Sequence, residues 1–327
     1  MPTLLDSVIG SLTPEAASAI GGIMGLSPEL TTQGLQIITP LLESGLARST
    51  ATPEGQESLM KLLPAAVNDD TVALLKDTVN SPQSSQLLDH FVDLALGRNQ
   101  STILKTIGNA IGINPGLLVG AGMPLLLNQL KKVSTEQNLD GAGVANLLQT
   151  ESQAFMAQGG PTVDLIQDAW KKSDLVDSIR GRFSDEEMAA ISGAPLAVIG
   201  LVMNASPSGY SGSVQELGAA AKVINEAEAA VSDISFVDLL PHWDDRQVQG
   251  AIKDNNNEQA IATIKAGMAA LVAKTPEQAA GYREFLVALG TKVAEAAKEG
   301  GFLGFGGKLV SEQEAAALAA IKDAVGT

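Results

Sequence analysis

The stretch Ile20-Gly21-Gly22-Ile23-Met24-Gly25-Leu26-Ser27-Pro28 decides how the N-terminal half is read, because it recurs. Ile107-Gly108-Asn109-Ala110-Ile111-Gly112-Ile113-Asn114-Pro115 repeats its pattern, starting at 107 instead of 20, a displacement of 87 residues. In each copy a Gly can end a helix in the left-handed conformation, an Ser or Asn can cap the next helix, and a Pro occupies that helix's first position. Upstream, Leu4-Leu5-Asp6-Ser7-Val8-Ile9 matches Leu87-Leu88-Asp89-His90-Phe91-Val92; downstream, Thr39-Pro40-Leu41-Leu42 matches Met123-Pro124-Leu125-Leu126. Three landmarks in one order predict a duplicated helical module, over about 3–82 and 83–155. Pro40 and Pro124 are predicted to kink or end the helices that carry them.

The bulk composition fits a helical chain. Of 327 residues, 45% are apolar, enough to build cores, but only 3% are aromatic, and Gly is abundant at 33. Alternating runs of β-branched and aromatic residues are scarce, which argues against a large sheet. The length suggests two domains. The formal charge of −16 argues against nucleic-acid binding, because a polyanion repels phosphate backbones. The absence of cysteine removes disulfides, thiol catalysis and thiolate metal sites. The most apolar segment, 113–130, is broken by Pro115 and Pro124 and is short for a span, so it is predicted to be a buried core helix. No basic n-region followed by an apolar stretch opens the chain, so a cytoplasmic protein with no transmembrane insertion is expected.

The runs LLDSVIG (4–10), IGGIMGLSP (20–28), ITPLLESGL (38–46) and TPEGQESLMKLL (52–63) resemble the YidB-like family of bacterial proteins of unknown function. The resemblance covers about residues 3–155. It implies an α-helical fold and a bacterial origin, and it transfers no catalytic residue, since the shared motifs serve capping and packing.

Gly159-Gly160-Pro161 marks the predicted domain boundary. A connecting helix over 162–181 carries Trp170. Ser184-Asp185-Glu186-Glu187 reads as a capping box, Thr275-Pro276-Glu277-Gln278 combines an N-cap Thr, a Pro and a capping-box partner, and Ser311-Glu312-Gln313-Glu314 is predicted to open the last helix. The helix after Pro276 places Ala279, Tyr282, Leu286, Leu289 and Val293 on one face. This half resembles uncharacterised bacterial sequences that end in a similar KEGGFLGFGG segment.

Motifs of known chemistry fail on spacing. Gly300–Gly307 before Lys308 lacks the leading Gly of a phosphate loop, because position 302 is Phe, and neither Ser nor Thr follows the Lys. A dinucleotide fingerprint from Gly304 and Gly306 would need Gly where Leu309 stands. Asp254, Asn256 and Glu258 begin a calcium loop that Gln259 and Lys265 break. His242 lies near Asp238, Asp244 and Asp245 without the spacing of a metal site. His90 occupies the position that Ser7 takes in the first copy, which argues for a surface role.

The resulting expectation is an all-α chain of two helical domains: 1–157, a connecting helix over 158–183, and 184–327. It would be a non-enzymatic structural or interaction protein without a cofactor, self-associating or docking a protein partner. Phe302, Phe305 and Trp243 are its candidate contact residues. The alternative is a module that binds a small apolar ligand or lipid between the helices 26–46 and 113–130.

Overall fold

Helices in this protein begin where the sequence supplies an oxygen to cap them. In the computed structural model, which describes residues 3–63, 82–205, 236–240, 256–296 and 311–326, Thr3 accepts the Asp6 amide and Asp6 accepts the Thr3 amide. That reciprocal pair starts α1 (Leu4–Ser11). Thr13 starts α2 (Pro14–Met24), which ends on left-handed Gly25 at φ 69°. Ser27 caps α3 (Pro28–Ser49) and Thr52 caps α4 (Pro53–Leu62). After α5 (Pro82–Leu96) and a 3-10 turn, α6 (Gln100–Ile111) ends on left-handed Gly112 at φ 68°. Asn114 caps α7 (Pro115–Glu136) and Asp140 caps α8 (Gly141–Ala157). Then come α9 (Pro161–Arg180), α10 (Asp185–Ala205), the 3-10 turn Phe236–Leu239, α11 (Asn257–Lys274), α12 (Pro276–Ala296) and α13 (Glu312–Val325). The fold is all-α, and no strand occurs among the described residues.

Both proline-bearing helices continue past Pro40 and Pro124, to Ser49 and Glu136, so of the expected kink or end the end does not occur. Both prolines are buried, so packing around them holds the helices together where one backbone bond is lost. The Thr275 hydroxyl, expected to cap α12, is fully buried and has no hydrogen-bond partner among the described residues. The Gln278 amide goes to the Thr275 carbonyl instead.

The chain divides into two compact units, Met1–Ser173 and Asp174–Thr327, and the division falls inside α9. In the first unit α3 and α7 pack directly. A Cβ on Gly34 would lie 2.6 Å from Leu118 Cδ1, and one on Gly122 would lie 3.2 Å from Leu35 Cδ2 and 3.3 Å from Ile38 Cγ2. Advancing along α3 therefore means advancing along α7, so the two helices start at the same end of the unit. The 113–130 segment is a core helix here: Leu118, Val119, Met123, Leu126, Leu127 and Leu130 are all buried.

In the second unit α10 is buried along most of its length from Ile191 to Val202 and packs against α11, α12 and α13. A Cβ on Gly267 of α11 would meet the Ala190 carbonyl oxygen at 2.9 Å. Tyr282 on α12 is fully buried and donates its hydroxyl to the Ile191 carbonyl at 2.5 Å. Phe236, Tyr282 and Phe285 form an aromatic group, with the first pair edge-to-face at 5.5 Å. Among the described residues one helix, α10, is long and apolar enough to cross a membrane by itself, and half of its apolar window is buried. The pair Leu88–Ile111 and Pro115–Glu136 passes that test only together, bent by 108°.

Candidate functional site

The middle of α3 holds the feature that helix packing does not explain. Thr39 and Glu43 are one turn apart and so share a face. Thr39 is fully buried and Glu43 is 3% exposed. Thr39 Oγ1 and Glu43 Oε1 have no hydrogen-bond partner among the described residues. A buried polar atom without a partner is uncommon and costs about 1–3 kcal/mol. Here two occur within one helical turn.

A second carboxyl comes from α8. Val144, Leu148 and Glu151 follow helical spacing along its inward face; the first two are fully buried and Glu151 is half-buried. Glu151 Oε2 accepts the Leu4 amide at 2.6 Å. Leu4 opens α1, so the Glu151 carboxyl sits at the positive end of that helix and satisfies one of its free amides. The site is thus made by α1, α3 and α8; α1 packs against α3 and buries Leu4 and Val8 in the core of the same unit.

The electrostatics follow from this placement. Burial pushes the Glu43 carboxyl up to about 8, and the negative charge of Glu151 adds to the shift. Glu151 is also raised, first by burial, with the Leu4 amide opposing and the charge of Asp6 adding. At neutral pH Glu43 is therefore mostly a neutral acid, which lowers the penalty of keeping it in an apolar core. Such a group can store and release a proton. Among the described residues no group of three or more His, Asp or Glu side chains gathers closely enough to hold a metal ion.

The expected contact residues Phe302, Phe305 and Trp243, with His242, lie outside the described residues. His90 is exposed on α5. Trp170 joins the first unit: its Nε1 donates to Ser44 Oγ at 3.0 Å, and the Arg48 guanidinium lies 4.7 Å from the indole centre.

Glu43 is inconspicuous in the sequence because it stands inside the largely apolar run ITPLLESGL (38–46). A signal was present nonetheless. Glu43 is flanked by Leu41, Leu42 and Leu46, and neither Lys nor Arg lies three or four residues away to pair with it.

Residues 6–120 match the family model described as "Bacterial protein of unknown function (DUF937)". The match covers Glu43 and stops before Glu151, so it takes in the buried acid and leaves out its α8 neighbour. It agrees, at the level of a bacterial family of unknown function, with the resemblance noted for the N-terminal part. No curated protein and no solved structure matches the chain.

Proposed function

We propose that this is a non-enzymatic interaction protein that associates with a second copy of itself through the end of the first unit where α3 and α7 begin. Leu30 and Leu117 carry the reading. Each is the third residue of its helix, the two are equivalent in the proposed duplication, and they are 42% and 44% exposed. Ile23, just before α3, is 49% exposed, and Met24, Leu26, Ile111 and Ile113 are half-buried around the same helix starts.

Charge supports a second copy as the occupant. Between Ala16 and Leu42 the one charged residue is Glu29, and between Thr106 and Leu130 there is none. A chain of net charge −16 meets least self-repulsion at such an end. Apolar side chains exposed together at one end fit a contact surface better than isolated ones do.

The alternative of an apolar ligand between these helices has little support, because Gly34 and Gly122 bring α3 and α7 into direct contact where it would sit. The duplication of 3–82 in 83–155, the domain limits at 157 and 184, the finer YidB-like likeness, the likeness of the second half to uncharacterised bacterial sequences and a cytoplasmic location all belong to this reading as proposals.

Amide hydrogen exchange as a function of protein concentration tests it. Protection of Leu26–Leu30 and Ile113–Leu117 is expected to rise with concentration while α8 stays constant. Exchange independent of concentration at both helix starts would contradict it.

A further inference from the structure

The unpartnered Glu43 and Thr39 atoms, Glu151, and the short helix seated on Glu151 together suggest a moving part. We propose that α1 covers the buried Glu43 carboxyl and acts as a latch, held by Glu151 at its N-terminus and released when that carboxyl ionises.

The geometry selects α1 as the element that leaves. It is eight residues long and holds itself to the unit by two fully buried side chains, Leu4 and Val8, whereas α3 buries twelve residues and α7 eleven. Among the described residues, its tie to α8 is the hydrogen bond from the Leu4 amide to Glu151. Ionised Glu43 is repelled by Glu151, and it can be solvated once the cover is lifted. The change therefore favours an open state in which α1 no longer shields the pair.

Among the described residues, the other charges on the elements around α3 do not compensate Glu43. Asp6 on α1 and Glu15 on α2 are exposed acids of the same sign. On α5, Asp89, His90 and Asp93 are exposed. On α7, Lys131, Lys132 and Glu136 lie in its second half, past the buried run through Leu127. From α8 the acid is Glu151. On α3 itself Glu29 is exposed in the first turn and Arg48 sits over Trp170. On α9, Lys172 pairs with Asp168 at 3.0 Å. Burial together with Glu151 holds the folded Glu43 acid near 8, which sets the pH at which the latch works.

The equivalent position in the second module is Leu127, buried in the core. A leucine fills that place without penalty, so a carboxyl at 43 is a departure from what packing asks.

The test is the protection of α1 amides against hydrogen exchange, normalised to α7 amides, in the full-length protein at pH 6 and pH 9. The wild type is expected to lose protection in α1 by on the order of a hundredfold between the two, the factor given by a carboxyl near 8 when covered and at its ordinary value when open. Glu43→Gln, or Glu43→Leu should the amide variant fail to fold, is expected to hold protection flat. Glu151→Gln is expected to loosen α1 already at pH 6. Normalised α1 protection that stays within threefold in the wild type, or falls equally in both Glu43 variants, would overturn the proposal. The latch is independent of self-association, since a strictly monomeric protein would show the same exchange behaviour.

Discussion

Trp170 Nε1 donates a hydrogen bond to Ser44 Oγ at 3.0 Å, which fastens α9 to the residue that follows the buried Glu43. Ser44 in turn donates to the Leu41 carbonyl at 2.7 Å, so the indole completes a short chain ending on the α3 backbone. Trp170 is 9% exposed and belongs to the core of the first unit. Trp170→Phe keeps most of the packing and is expected to cost about 1–2 kcal/mol, mainly from the lost hydrogen bond. Trp170→Ala is expected to cost about 3–5 kcal/mol. Urea unfolding followed by circular dichroism would read both, and equal losses would show that the hydrogen bond, not the ring, carries the stability.

The raised Glu43 carboxyl makes the stability of the first unit pH-dependent, and the sign is fixed. The folded state holds this proton up to about 8 and the unfolded state only to about 4.5. The contribution of Glu43 is therefore greatest below 4.5 and declines by up to ~1.4 kcal/mol per pH unit until about 8, where it levels. Glu43→Leu is expected to remove this decline, so its advantage over wild type grows from pH 5 to pH 9. Unfolding in a Trp243→Phe background, where Trp170 reports the first unit, checks it; parallel curves for the two proteins would refute the assignment.

Two helix glycines, one pressed against a neighbouring backbone and one open, should respond in opposite ways. Gly45 lies so close to α5 that a Cβ there would run into the Ala95 carbonyl oxygen, and the Trp170 ring is 3.3 Å away. Gly45→Ala is expected to lower Tm. Gly120, inside α7, has no atom within 4 Å of a built Cβ. Gly120→Ala should stabilise by about 0.5–1 kcal/mol through helix propensity alone. Thermal denaturation of the pair separates close approach from mere flexibility.

Tyr282 anchors the second unit. Burial pushes its phenol far above the usual range, and its hydroxyl is committed to the Ile191 carbonyl. Tyr282→Phe is expected to cost about 1–2 kcal/mol. In an alkaline absorbance titration one of the two tyrosines should ionise only as the unit unfolds. Two tyrosines titrating together near their ordinary value would contradict the burial.

Helix starts were legible because they are local. Ser27-Pro28, Asn114-Pro115, Ser184–Glu187 and Ser311–Glu314 carry the capping atoms within four residues, and each does start a helix. The apolar face of α12 was legible for the same reason: Ala279, Tyr282, Leu286, Leu289 and Val293 are all buried. Thr275 misled, since a hydroxyl that can cap locally was turned into the core by tertiary packing. The candidate site escaped notice because the acid that acts on Glu43, Glu151, comes from α8, far from it in sequence. Its own neighbours show only a glutamate among leucines. At Pro40 and Pro124 the helices do not end, because burial around each proline offsets the loss of one backbone bond.

The most direct test of self-association is the mass of the protein in solution, measured by light scattering over a concentration series for wild type and Leu30→Asp/Leu117→Asp. The account predicts a wild-type mass rising above the 33.6 kDa of one chain toward twice that value. The double variant should remain monomeric with unchanged helix content. A wild type that stays at one chain mass at every concentration, or a variant that associates as strongly as wild type, would contradict it.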